Sequence, residues 1–260
     1  AAQILDGAQL QLAGNNNLQK TVQASGTGIN NTGAILHVSG NNTITGTVTL
    51  TSLPNFSPAT TPTGVVWVGV AGANDTLTIN GTLAQAAAQG ITAFGLDKIG
   101  AGRLTLAGPG SYGGATRVRF GALQVRNSTS LGSTSAGTDV SPGAVLELAG
   151  GVSVGNEALR LNFYDPNVNG LILGDALLPA NPNGALQSVS GDNSYAGPVL
   201  LAIDTAIGGV AGTSVTIGGV VSDTSAVSPS NLTKVGPNRL DLTASNTYHG
   251  RTLVNNGVLG

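Results

Sequence analysis

Residues 96–123, LDKIGAGRLTLAGPGSYGGATRVRFGAL, return without a gap 136 residues later as 232–259, LTKVGPNRLDLTASNTYHGRTLVNNGVL, with twelve of 28 positions identical. The first copy holds Leu96, Lys98, Gly100, Arg103, Leu104, Leu106, Tyr112, Gly114, Thr116, Val118, Gly121 and Leu123. The second answers with Leu232, Lys234, Gly236, Arg239, Leu240, Leu242, Tyr248, Gly250, Thr252, Val254, Gly257 and Leu259. What is kept is alternating aliphatics and turn glycines, the signature of a repeated backbone path rather than of an active site.

The repeat extends further. Residues 6–14 align with 142–150 at the same spacing of 136, 39–48 with 190–199 at 151, and 77–81 with 215–219 at 138. The chain therefore divides into two homologous units, 1–124 and 137–260, bridged by 125–136 (VRNSTSLGSTSA). The bridge has no counterpart after Gly260, which suggests a segment of a longer array.

Composition narrows the architecture. Charged residues are 8%, aromatics 3%, and forty residues are Gly, yet hydrophobic content is 40%. Small aliphatics with Thr, Asn and Gly suit short strands joined by tight turns. About twenty strands of alternating polarity are predicted, among them 8–12, 47–50, 104–106, 116–118, 145–148, 215–217 and 240–242. Residues 83–89 have the composition for two helical turns at most. Such spacing fits a sandwich, a barrel or a parallel β-helix, and the duplication without a linker favours the solenoid. With ~20–25 residues per coil and a rise of ~4.8 Å, the prediction is an all-β parallel β-helix of roughly eleven coils. Asn-rich turns at 15–17, 30–31 and 41–42 are expected to stack their amides between coils.

The pattern L-x-K-x-G-x-G-x-L-x-L-x-G-x-x-x-Y-x-G-x-T-x-V-x-x-G-x-L resembles the autotransporter-associated β-strand repeat of bacterial passenger domains and large repetitive surface proteins. The first copy also carries its Gly102 and Gly108; the second has Asn238 and Ala244 there, with Pro237 also unusual. The resemblance implies a right-handed β-helix at the bacterial cell surface or beyond, and no particular activity.

Few residues invite chemistry. A net charge of −2 gives no case for nucleic acid or an anionic membrane surface, and no apolar run approaches a membrane span. Cysteine is absent, which removes thiolate metal sites, and the twelve acids are scattered without calcium-loop spacing. No metal, cofactor or catalytic residue is expected. His37 alternates with Leu36 and Val38 and is expected to face outward; His249 replaces Gly113 in the Tyr-x-Gly turn. Lys98, Lys234, Arg103 and Arg239 are expected to cover the coil edge or pair with turn carbonyls and a nearby acid. Arg117 and Arg119 should share one solvent-facing side, and Tyr112, Tyr195 and Tyr248 should brace the turns before Gly114, Gly197 and Gly250.

Two insertions stand apart, since insertions in solenoids collect on loops. One, 51–73, holds Phe56, Pro54, Pro58, Pro62 and the sole tryptophan, Trp67; the other, 162–183, holds Phe163 and Tyr164. The run VVWVGV is apolar on both faces, so its outer face needs a cover: the chain's own loop, a glycan or another protein. Phe56, Trp67, Phe163 and Tyr164 are thus candidate partner contacts. The leading expectation is a structural, non-catalytic stalk or extracellular fibre whose partners are further repeats or neighbouring copies, end to end. An adhesin gripping glycan or matrix through these insertions is the alternative, and a polysaccharide-active β-helix enzyme the third.

Overall fold

The computed structural model describes residues 1–53, 64–88, 90–163 and 183–260. Among them are 27 strands, one 3-10 turn at Ile29–Asn31 and no α-helix. Residues 83–85, read as a possible helical start, are the strand Leu83–Gln85. Excess strands over the number expected include two-residue pieces such as Asn17–Leu18 and Ser153–Val154, too short for alternation to reveal. Among the described residues the strands pair in parallel, with partners roughly one coil apart in sequence, which makes this the all-β parallel β-helix expected.

Two compact units are present: 1–123 with 129–136, and 124–128 with 137–260. In the first, Ala2 pairs with Val22, Val22 with Val48, and Val48 with Leu83. A second face stacks Ile35, Val68, Lys98 and Val118 in register. A third stacks Ile44, Ile79 and Leu106. Apart from the half-buried Ala2, the aliphatic members of these columns are buried, so each coil contributes a thin layer of core and rests on the next.

The second unit repeats the plan. Leu159, Val199 and Val221 form one column; Leu186, Ile207, Lys234 and Val254 another; Val154, Tyr195, Ile217 and Leu242 a third. The equivalence of 68–98–118 with 207–234–254 shows how the duplicated sequence reproduces a duplicated layer.

Asparagines at matching turn positions tie successive coils together. Asn42 Oδ1 accepts the Asn16 N–H at 3.0 Å, and Asn15 Oδ1 accepts the Asn41 N–H at 2.9 Å. The side chain thus satisfies a turn amide one coil away. Asn30 and Asn31 instead serve the backbone directly, with φ of 51° and 57° in the left-handed region that asparagine tolerates.

Candidate functional site

The residues shared by both copies are the first place to look for a site. Lys98 lies in an otherwise apolar column, fully buried, between Val68 and Val118. Its Nζ donates to the carbonyls of Ile99 at 3.0 Å, Gly100 at 2.6 Å and, one coil on, Phe120 at 2.8 Å. Lys234 repeats this with Val235 at 2.8 Å, Gly236 at 2.7 Å and Asn256 at 3.1 Å. Three donors of an ammonium meet three carbonyls in each case. Gly100 and Gly236 have φ of 78° and 74°, which turns their carbonyls toward the lysine at a conformation other residues resist. Burial pushes Lys98 down to about 7, and Lys234 in the same direction. Pairing with turn carbonyls was expected; residence inside the coil was not.

Tyr112 and Tyr248 also act alike. Each phenol meets the hydroxyl of the threonine four residues on, Thr116 or Thr252, at 2.5 Å. Tyr195 departs: Val199 stands where that threonine would be, and burial together with the Glu157 charge pushes its phenol up. Glu157 is itself buried, accepts from Thr138 Oγ1 at 2.5 Å, and is pushed up by burial to about 7.

A third shared device escaped the sequence comparison. Gln85 Oε1 accepts the N–H of Phe94 and of Gly113, both at 2.8 Å. In the second unit Asp223 Oδ2 accepts the N–H of Ser230 at 3.2 Å and of His249 at 2.9 Å. One side-chain oxygen thus ties two later segments to the end of a short strand in both copies. Identity scoring misses it because the residues differ, and because Gln85 and Asp223 are 138 residues apart whereas their targets are 136 apart. His249 Nδ1 adds a contact to Asp223 Oδ1 at 2.9 Å, and these bonds hold the carboxyl down to about 2.

His37 is a correction. It is fully buried, on the same side of its strand as Ile35, with Nε2 against the Gly40 carbonyl at 2.9 Å, while Val38 takes the exposed side. Arg119 is another: it is 5% exposed, not solvent-facing. Its Nε donates to Asp97 Oδ2 at 2.6 Å, and its guanidinium lies over the Trp67 ring at 5.4 Å. Arg117 is more open and approaches Asp97 at 3.6 Å. Burial pushes Asp97 up against the pull of both arginines.

Among the candidate partner contacts, Trp67 is 6% exposed and covered on one side by Arg119. Phe163 is half-buried, with the Arg160 guanidinium over its ring at 3.9 Å. Arg160 is in turn held by Asp139 through Nε and Nη2 at 2.5 and 2.6 Å. Both described aromatic residues of the insertions therefore stack under an arginine that an aspartate holds. Phe56 and Tyr164 lie outside the described residues. Arg239 pairs with Asp241 at 2.6 Å as a nearby acid, at an exposed position. Among the described residues no three of His, Asp and Glu cluster as for a metal ion.

Two stretches, 96–125 and 232–260, match the family model described as passenger-associated-transport-repeat. They are the two stretches that carry the resemblance read from the sequence. No curated protein matches the chain, and no solved structure does.

Proposed function

We propose that this chain is a structural, non-catalytic part of a bacterial surface or extracellular β-helix, which builds a stalk or fibre by repetition or end-to-end stacking. Its partners are further repeats or neighbouring copies of the same protein. One observation carries this: the polar residues common to both copies are spent on the chain's own coils. Lys98 and Lys234 bond turn carbonyls, and Tyr112 and Tyr248 bond a threonine of the same turn. Residues kept for binding or catalysis would instead present their polar atoms to solvent at a shared place. The passenger-repeat match supports a location outside the cell.

Negative-stain electron microscopy of the native material, with its chain mass, tests the proposal. Long uniform filaments or regular stalks are expected. Isolated particles that bind a glycan array, with binding lost on Trp67→Ala, would replace it with the adhesin. Turnover on a polysaccharide panel would replace it with the enzyme.

A further inference from the structure

One loop of the second unit stands clear of its coil. The strand Val221–Asp223 pairs with Val199–Leu201, and Leu232–Lys234 pairs with Thr205–Ile207. Between them Thr224, Ala226, Val227, Ser228 and Pro229 are exposed. Val227, at 95%, is the most exposed large apolar side chain among the described residues. Among those residues, 224–229 make one hydrogen bond, from the Val227 N–H to Ser225 Oγ at 3.1 Å. Both ends of the loop, by contrast, are fixed. Asp223 Oδ2 accepts the Ser230 N–H at 3.2 Å, and Asp204 accepts the Asn231 N–H at 2.8 Å and its Nδ2 at 2.9 Å.

The first unit shows that this exposure belongs to the corner itself. There 86–93 follows the equivalent anchor, Gln85, and Ala86, Ala87, Gly90, Thr92 and Ala93 are exposed although further coils come after it. That loop is braced, however. Ala88 and Ile91 exchange two backbone bonds, at 3.1 and 2.9 Å, and the Ala86 N–H donates to the Leu50 carbonyl at 3.0 Å. Gln85 Nε2 adds a bond to the Thr92 carbonyl at 3.0 Å. Residues 224–229 have no counterpart to these bonds among the described residues.

A protease takes its substrate as an extended strand, so it cuts where an exposed loop of small residues can leave its own structure at little cost. Which bond is cut follows from Pro229. A bound substrate pairs its backbone on both sides of the cut, and proline offers no N–H. A cut after Val227 places Pro229 second beyond the cut; a cut after Ala226 moves it one residue further out. Alanine before the cut suits a small apolar specificity pocket. We infer that the Ala226–Val227 bond is a processing site for an elastase-type serine protease, and that the nicked chain stays folded. Water adds across that amide, leaving a carboxylate on Ala226 and an ammonium on Val227. The strands on either side keep their partners, since neither ladder includes residues 224–229. This site is independent of how like units assemble.

The test is limited proteolysis of the native chain with pancreatic elastase, with mass spectrometry of the products over time. Cutting between Ala226 and Val227 is expected at least about tenfold faster than any cut within 86–93. The products should elute together from a sizing column under native conditions and separate in denaturant. Ala226→Asp changes an exposed side chain, so it should melt with the parent in a thermal scan and lose this cut. Absence of cutting within 224–229, or cutting there no faster than within 86–93, overturns the site. So does an Ala226→Asp chain that melts with the parent and is still cut at the same bond. Products that part under native conditions overturn the claim that the nicked chain stays folded.

Discussion

A lysine shut inside an aliphatic column needs a reason, and Lys98 has three carbonyls as its reason. Burial sets its native value near 7, against ~10.4 for an unfolded lysine. Between those values the unfolded chain holds a proton that the native state lacks, so stability rises as pH goes from about 7 toward 10.4. The ceiling on that rise is roughly 5 kcal/mol. Urea unfolding across this range should show the rise in the parent and a smaller one in Lys98→Met, where Lys234 alone still contributes. Glu157 works in the opposite sense. Its native value near 7 lies above the ~4.3 of an unfolded glutamate, so the native state holds the extra proton and stability falls as pH rises from about 4.3 to 7. Glu157→Gln keeps the acceptor for Thr138 and removes the titration. It should match the parent at pH 4 and exceed it at pH 8 by up to roughly 4 kcal/mol. An unchanged difference between the two pH values would refute the assignment. The inward side of Lys98 was legible in the sequence, since Leu96 and Lys98 share parity; so was that of His37 with Ile35. In both cases polarity suggested a surface position, because alternation alone does not show that a nearby turn supplies carbonyl acceptors.

Strands and turns were the most legible elements. Short alternating runs such as Thr116–Val118 and Val145–Ala149 announce themselves, and glycines mark the corners. What alternation cannot show is which coil a side chain reaches. Gln85 and Asp223 each bridge segments that are far apart in sequence, and no local pattern links Gln85 to Phe94 and Gly113. Arg119 was misplaced for the same reason: its burial depends on Asp97 and Trp67, which belong to neighbouring strands. The Tyr–Thr brace allows an internal comparison at this scale. Tyr112→Phe removes a buried hydroxyl and leaves Thr116 with one partner fewer, a loss of about 1–2 kcal/mol. Tyr248→Phe removes the same bond beside water, where it is worth less than about 0.5 kcal/mol. Chemical denaturation of the two single variants should separate them in that order. Equal losses would mean that residues 131–133, whose Leu131 carbonyl accepts from Thr116 and whose Ser133 N–H donates to the Tyr112 carbonyl, add nothing to the brace.

For the molecule as a whole, composition and periodicity revealed the solenoid because the fold is built from one layer repeated. With 8% charged residues, little but backbone pairing and thin aliphatic columns is left to hold the coils. The insertions were legible only as interruptions: they break the 136-residue spacing without a period of their own, and local sequence does not reveal what lies over them. If like units join through strand edges, a charge on the exposed strand Thr252–Val254 should block joining without harming the fold, as edge lysines do in natural sheets. Thr252 and Thr116 occupy the same place in the repeat, one exposed and one fully buried. Thr116→Lys buries an unpaired ammonium in the first unit, a cost of about 3 kcal/mol or more. Thr252→Lys leaves its ammonium in water, so unfolding should move by no more than about 0.5 kcal/mol. Sedimentation velocity should then find Thr252→Lys folded but unable to form the end-to-end species of the parent. A variant that still assembles would place the joint elsewhere on the chain, and the insertions that hold Trp67 and Phe163 would be the next surface to mutate.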